Sequence, residues 1–187
     1  KHEIPLHSES SFTSTWPEII WFYCLDVSES KKGKTTICDG IKLWNQLSIE
    51  TKTFFLSNPF CFELEIEIAK KKAPSKHWYF EEIGFGKSDI NFVKGRINTN
   101  FSKFLVHRDR FTNKICFANH LFSCLKKDES QIKKFYPLSK KKLPDNIIRE
   151  VKEKSEKLTY EHDWKKFDLI MINNKRFLHG RRKIDNL

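Results

Sequence analysis

Apolar stretches of strand length dominate the hydrophobic pattern of the chain. Polar or turn-forming residues separate five such stretches, which cover residues 18–27, 60–69, 103–108, 114–119 and 167–174. The segment FELEIEI alternates apolar and acidic residues, which is typical of a strand with one buried face and one solvated face. The segment DLIMIN is continuously apolar, which predicts a strand covered on both sides. The pattern therefore predicts a fold built mainly from β-strands.

Two further segments have the spacing of amphipathic helices. In DGIKLWNQLS, Asp39 is a candidate N-cap and apolar residues recur every three positions. In LPDNIIREVKEKSEKLT, Pro144 and Asp145 stand where a helix begins, and one face is apolar while the other is charged. Strands and helices do not alternate regularly, which argues against a doubly wound sheet. We therefore expect a β-sandwich or jelly roll with flanking helices.

The composition is that of a packed globular protein. The 187 residues suit one domain, and 39% of them are hydrophobic and 14% aromatic. The five cysteines form no C-x-x-C pair and are odd in number, so we interpret them as free thiols in a reducing compartment. No stretch approaches the roughly 20 apolar residues that a membrane span needs. We expect a soluble, cytoplasmic protein without a membrane partner.

The net charge of +11 raises the question of a nucleic-acid partner. Lysine runs at AKKKAPSK and LSKKKLP could follow a phosphate backbone. Lysine greatly outnumbers arginine, however, and no recognition motif accompanies the runs, so a solvated lysine-rich surface is the better interpretation. A positive field of this kind would still attract small dianionic ligands.

His7 and Glu9, in IPLHSES, could place two metal-ligating side chains on one side of a strand, because residues i and i+2 of a strand point the same way. A third ligand must come from elsewhere in the chain. His179 is the strongest candidate, since it follows the apolar strand and polar turn of FDLIMINNKRFLHGRR. Two histidines and one carboxylate are the ligands of non-haem Fe(II) oxygenases, and zinc would bind them as well. The other histidines have no partner at ligand spacing and are interpreted as surface or packing residues, and the His7–Glu9 pair alone would also suit an ordinary strand edge.

The same segments carry a family resemblance. LHSES, with WPEIIWFYCLDVSESKKGKTTICDGIKLWNQL, resembles the first half of the taurine dioxygenase/TfdA-like and clavaminate synthase-like Fe(II)/2-oxoglutarate-dependent oxygenases. In that family a His-x-Asp/Glu motif precedes a strand, a glycine–threonine segment and a helix. WKKFDLIMINNKRFLHGRR resembles the closing motif of the family, in which Asp/Asn-Asn leads to His-Gly-Arg, and TNKICFAN resembles a middle segment near the active site. The agreement in order and spacing favours a metal site over a strand edge.

The resemblance implies a double-stranded β-helix, the cupin-like jelly roll, with Fe(II) and the co-substrate 2-oxoglutarate at its centre. It implies that His7, Glu9 and His179 are the iron ligands. Thr35 matches the threonine that contacts the 2-oxoglutarate carboxylate, with Thr36 as the alternative if the register shifts by one residue.

Other positions are expected to support the centre. Arg181 belongs to the His-Gly-Arg motif and would support the site or contact a carboxylate of 2-oxoglutarate. The resemblance implies that Asn119 lines the substrate side. Phe12 and Trp16 follow the ligand pair closely enough to line a pocket as well.

The activity implied is a dioxygenase that uses O₂ to hydroxylate or otherwise oxidise an unactivated C–H bond of a small molecule, such as an amino acid or a biosynthetic intermediate, with release of succinate and CO₂. Glu9 favours this outcome over halogenation, because halogenating relatives replace this carboxylate with a small residue. The oligomeric state and the identity of the substrate are outside what the sequence indicates.

The chain also departs from the family pattern. The arginine that pairs with the distal carboxylate of 2-oxoglutarate usually lies more than ten residues beyond the distal histidine, which would be past Leu187. We therefore expect residues 1–187 to be a single oxygenase-like domain that is incomplete at both ends. Two alternatives stay open, a basic nucleic-acid-binding module and a non-catalytic or truncated relative that keeps the fold.

Overall fold

The structure is a computed structural model that describes residues 2–13, 16–27, 33–67, 90–93, 96–126, 131–139 and 142–184. Within these ranges the fold is mainly β with a few helices, as predicted. The strands are β1 Ile4–His7, β2 Ile19–Tyr23, β3 Thr35–Asp39, β4 Phe60–Glu67, β5 Ile90–Val93, β6 Arg96–Lys103, β7 His107–Arg108, β8 Ile115–Cys116, β9 Ile132–Pro137, β10 Tyr160–His162, β11 Leu169–Asn173 and β12 Phe177–Arg181. The helices are α1 Gly40–Gln46, α2 Ile49–Ser57, α3 Leu121–Lys126 and α4 Asp145–Leu158.

One sheet joins the two ends of the described chain. Its strand order is β1-β12-β3-β10, and every neighbouring pair is antiparallel. β12 lies between β1 and β3, so residues from near position 7, position 37 and position 179 come to one place. This sheet carries the two predicted histidine ligands, His7 on β1 and His179 on β12.

A second sheet has the order β5-β6-β4-β9 and supplies much of the core. The alternation in β4 has the predicted result: Phe60, Phe62 and Leu64 are buried, while Glu63 and Glu65 form ion pairs with basic residues of the neighbouring strands. The apolar segment 103–108 is divided, since β6 ends at Lys103 and β7 begins at His107. The lysine run at 69–76 lies outside the described residues, as do residues 140 and 141 of the second run.

The prediction for the apolar strand β11 was wrong in one respect. Among the described residues β11 pairs with β2 alone, and one face of this two-stranded ribbon packs inward. Ile172 is 4% exposed, whereas Leu169 and Met171 are 58% and 57% exposed. Trp21, the cross-strand partner of Met171, is 59% exposed on the same outer face. A continuously apolar sequence therefore did not imply burial on both sides.

Both predicted helices are present. The carboxylate of Asp39 accepts hydrogen bonds from the amides of Ile41 and Lys42 and caps α1. α4 begins at Asp145, directly after Pro144, and buries Ile147, Val151 and Ser155. Helices α2 and α3 were not predicted, because α2 has no continuous apolar stripe and α3 has only 6 residues.

The core lies between the sheets and the helices. Its largest fully buried aromatic side chains are Phe55, Phe60, Phe62 and Phe117. All five cysteines are buried and free, as expected. Among the described residues there is no helix with the length and apolarity needed to span a membrane.

Candidate metal centre

The pairing of β1 with β12 brings two predicted ligands face to face. His7 and His179 are direct cross-strand partners in the antiparallel register. Side chains at such positions project to the same face of the sheet. The two imidazole ring centroids lie 4.5 Å apart, and both side chains are largely buried, with 8% and 4% of their residues exposed.

Glu9 reaches the same place by a different route from the one expected. β1 ends at His7, so Glu9 lies in a turn rather than two residues further along a strand. Ser10, the next residue in that turn, has a left-handed backbone with φ of 55°. The turn places a Glu9 carboxylate oxygen 3.5 Å from Nε2 of His7. One ligand atom from each of His7, Glu9 and His179 then lies within 4.8 Å of the other two.

The protonation states of these groups suit a divalent cation. Nδ1 of His7 lies 2.9 Å from the carbonyl oxygen of Pro5, and Nε2 of the same ring faces the Glu9 carboxylate. A hydrogen bond from His7 lowers the pKa of Glu9 to about 2, against the opposing effect of burial. Burial, reinforced by nearby His7, lowers the pKa of His179 to about 3, and its Nδ1 is buried without a well-formed hydrogen bond. At neutral pH the site offers a carboxylate and a neutral imidazole, the forms that bind metal.

Residues that the sequence did not single out surround the ligand pair. Ser8, between the two ligands, is fully buried and is held by hydrogen bonds from three directions. Asn174, which is also fully buried, bonds to both Ser8 and Glu9. Asn174 belongs to the Asn-Asn pair of the closing motif, for which the sequence indicated no role beyond a polar turn.

His120 is a second residue whose place the sequence did not indicate. Of the two interpretations, surface or packing residue, the second is confirmed: His120 is 1% exposed, with its ring centroid 5.2 Å from that of His7. Phe12 packs edge-on against His120 at 4.8 Å, and Phe22 of β2 packs edge-on against His179 at 5.4 Å. Aromatic rings therefore hold the imidazoles of the centre in place.

The sequence matches the model of one protein family along almost its whole length. The match covers residues 1–186, and the family is described as taurine catabolism dioxygenase TauD, TfdA family. The chain belongs to the TauD/TfdA family. No curated protein matches the sequence.

Solved structures with the same fold agree with membership of the TauD/TfdA family. AAD-2, in a complex with Mn(II) and N-oxalylglycine, aligns over 97% of this chain and 63% of its own at 17% identity, with a TM-score of 0.60. PvcB from Pseudomonas aeruginosa aligns over 99% of this chain and 53% of its own at 14% identity, with a TM-score of 0.61. An asparagine oxygenase, in a complex with Fe(II), 2S,3S-3-hydroxyasparagine and succinate, aligns over 99% of this chain and 46% of its own at 12% identity, with a TM-score of 0.61. The chain thus spans between 46% and 63% of the length of these three proteins.

The two threonines considered for the TauD/TfdA co-substrate contact lie on opposite faces of β3. Thr35 is the cross-strand partner of Arg181, and Ile37 is the partner of His179, so Thr35 shares a face with Arg181 and the ligand. Thr36 is 3% exposed and faces the other way. The hydroxyl of Thr35 accepts a hydrogen bond from Nε1 of Trp164 at 2.9 Å.

A cavity of about 860 Å³ opens on the face that carries Thr35 and Arg181. Its lining is rich in polar and charged side chains, including Lys34, His162 and Lys165. Arg181 donates one hydrogen bond to the carbonyl of His2, while its buried Nε has no hydrogen-bond partner in the described part of the chain. Asp26 and Asp163 also line the cavity, and Lys34 forms an ion pair with Asp163 at 2.8 Å. The cavity therefore offers room and both signs of charge on the face of Thr35 and Arg181.

The three predicted substrate residues lie at different depths. Phe12 is 6% exposed and belongs to the core. Asn119 is 2% exposed, and its amide is engaged by the carbonyl of Leu105 and the amide of Leu121. Trp16 is partly exposed, with the ammonium of Lys103 3.3 Å from its ring centroid. Their contact with substrate stays a prediction.

The lowered pKa of His179 predicts a pH-dependent stability for the metal-free protein. Between about pH 3 and 6.5 the unfolded chain takes up a proton at this imidazole that the folded chain excludes. The free energy of unfolding should therefore fall as the pH drops below about 6.5, and Glu9 adds the same trend only below about pH 4.5. We expect the stability difference between the wild type and His179→Gln to change by about 2 kcal/mol between pH 6.5 and 5. Urea unfolding at several pH values measures this difference, and parallel stability curves would contradict it.

Proposed function

We propose that this chain forms the catalytic core of an Fe(II)- and 2-oxoglutarate-dependent oxygenase that oxidises an unactivated C–H bond of a small molecule. The observation that carries the proposal is the convergence of two imidazoles and one carboxylate, from distant parts of the chain, within 4.8 Å. Two histidines and one carboxylate on one face of iron leave positions open for co-substrate and O₂. The jelly-roll form of the fold is part of the proposal, and the TauD/TfdA membership supports it.

In this proposal His7, Glu9 and His179 hold the metal. When bound, Fe(II) supplies O₂ activation, which couples conversion of 2-oxoglutarate to succinate and CO₂ with oxidation of the substrate. The protein contributes a fixed ligand geometry and buried imidazoles that exclude water from one side. The side chain of Glu9 is 51% exposed, so it lies on the side of the centre that is open to solvent.

We assign one carboxylate of 2-oxoglutarate to the cavity beside Thr35 and Arg181. A guanidinium with an unpaired, buried N–H and a nearby hydroxyl are suitable partners for a carboxylate. The net charge of +11 would favour entry of a dianion.

Phe12, Trp16 and Asn119 are the proposed substrate-side residues, and Trp16 is the partly exposed member of the three. A small molecule such as an amino acid or a biosynthetic intermediate is the proposed substrate class. The presence of Glu9 supports hydroxylation or a related oxidation. The buried free thiols support a reducing, cytoplasmic location.

Anaerobic titration with Fe(II) and 2-oxoglutarate tests the proposal. We expect a weak visible charge-transfer band only when the protein, the metal and the keto acid are all present. Formation of succinate after admission of O₂ would then report turnover. Tight Fe(II) binding without the band would contradict the co-substrate assignment, and absence of Fe(II) binding would contradict the metal centre.

Two matched variants decide which threonine contacts the co-substrate. Thr35→Val should raise the half-saturating concentration of 2-oxoglutarate about three- to tenfold, because it removes one hydroxyl near a carboxylate. Thr36→Val makes the same chemical change on the opposite face and should leave that concentration unchanged. Both variants should bind Fe(II) like the wild type. The reverse result would show that the register of the motif is shifted by one residue.

A further inference from the structure

We infer that Asn174 is a positioning residue that fixes the backbone between His7 and Glu9. This inference rests on the proposed function of the centre, because it concerns how one of its metal ligands is held. Asn174 lies in the turn between β11 and β12, and its side chain bonds to the backbone of Glu9 rather than to its carboxylate. Its proposed effect on the metal is therefore exerted through Glu9.

Asn174 uses both ends of its side chain on the ligand-bearing turn. Its Oδ1 accepts a hydrogen bond from the amide of Glu9 at 2.7 Å, and its Nδ2 donates to the carbonyl of Glu9 at 3.0 Å. The same Nδ2 donates to the carbonyl of Pro17 at 2.8 Å, so one side chain binds both Glu9 and Pro17. The backbone carbonyl of Asn174 accepts a bond from the hydroxyl of Ser8 at 2.6 Å.

The backbone of Ser8 is held by Asn119 and His120, which directly precede α3. The amide of Ser8 donates to the carbonyl of Asn119 at 2.9 Å, and Nδ1 of His120 lies 3.2 Å from the carbonyl of Ser8. The backbone amides and carbonyls of Ser8 and Glu9 are therefore all engaged. Together these bonds form a clamp around Ser8 and Glu9, in which Asn174 supplies the contacts to Glu9.

The clamp matters because no strand pairing holds Glu9. β1 ends at His7, and the carboxylate of Glu9 is half-exposed, so its position depends on where its backbone is fixed. The side-chain amide of Asn174 supplies one acceptor oxygen and two N–H donors, and the bonds to Glu9 and Pro17 use all three. Loss of an outer partner of a metal ligand typically lowers metal affinity about 10- to 100-fold.

The experiment compares Asn174→Ala with Asn173→Ala in the metal-free chain and in a titration with Co(II). Asn173 is the matched control, because its side chain accepts only the local amide of Lys175 at 3.0 Å. We expect Asn174→Ala to weaken Co(II) binding about 10- to 100-fold and to alter the visible Co(II) spectrum. Hydrogen exchange in residues 8–13 of the metal-free protein should accelerate in Asn174→Ala and remain unchanged in Asn173→Ala.

Ser8→Ala provides a milder variant in case Asn174→Ala does not fold. It removes one hydroxyl of the clamp and should weaken Co(II) binding about three- to tenfold. Accelerated exchange with unchanged Co(II) affinity and spectrum would make Asn174 merely structural and overturn the inference, while the proposed function would stand. Failure of the wild-type chain to bind Co(II) would overturn the metal centre itself, and the inference with it.

Discussion

Replacing His179 with alanine is expected to lower the affinity for divalent metal more than about 100-fold. This exceeds the loss typical of removing a residue that only hydrogen-bonds to a metal ligand. The change removes one of three ligand groups, and His7 and Glu9 alone leave the cation with two protein ligands. His179 lies between β1 and β3 in the sheet, and its neutral imidazole already suits a metal at neutral pH. Titration with Mn(II), followed by the electron paramagnetic resonance signal of the free ion, measures the affinity.

His162→Ala is the matched control for this prediction. His162 lies in the same sheet, on β10, and its Nε2 is 3.3 Å from a carboxylate oxygen of Asp168. It therefore resembles the His7–Glu9 pair, at 3.5 Å, without belonging to the three-residue cluster. Its replacement should leave Mn(II) affinity within about twofold of the wild type, a smaller change than removal of a residue that hydrogen-bonds to a metal ligand would cause. Retention of wild-type affinity by His179→Ala would show that the ligand assignment is wrong.

Gly180→Ala is expected to reduce the free energy of unfolding by about 3 kcal/mol, at the upper end of what overpacking costs. A Cβ at this position would lie 2.5 Å from the carbonyl oxygen of Ile4 and 3.0 Å from the carbonyl carbon of Pro5. These are backbone atoms of β1, so the strand itself must move away from β12. Because the same pairing sets the distance between His7 and His179, metal affinity should fall as well. Urea unfolding and the Mn(II) titration measure the two effects.

Gly33→Ala separates a general loss of stability from damage to the centre. Gly33 has φ of 79°, so alanine is strained there, and the nearest atoms belong to the flexible side chain of Ile184. We expect a loss of about 1 kcal/mol in stability with unchanged metal affinity. If Gly180→Ala also kept its metal affinity, the close approach of β1 and β12 would not control the centre.

The three residues of the candidate centre could be selected from the sequence because each lies in a recognisable local pattern, and the structure brings them together. His7 and Glu9 form a short motif, and His179 follows an apolar strand and a polar turn. The backbone path was less predictable. Alternation along a strand accounted for the shared side of His7 and Glu9, whereas the chain in fact turns after His7 and uses the left-handed Ser10.

Other features depend on tertiary partners that local patterns do not specify. Leu169 and Met171 sit in a continuously apolar strand, but only the number of neighbouring strands determines whether their outer face is covered. Asn174 was recognised as part of the closing motif, but its contacts could not be predicted, because they join it to residues 166 and 165 positions away. His120 likewise acquires its role only through packing against His7.

The seam between β1 and β12 also bears on the order of events during folding. Ser8 and Asn174 are 166 residues apart, and closing a flexible loop of that length costs roughly 4–5 kcal/mol of chain entropy. His7 and Glu9 can therefore meet His179 only after β12 has been synthesised and has paired with β1. Binding of a cation should be a late step in folding. A bound ion would stabilise the pairing of β1 with β12 and slow their separation.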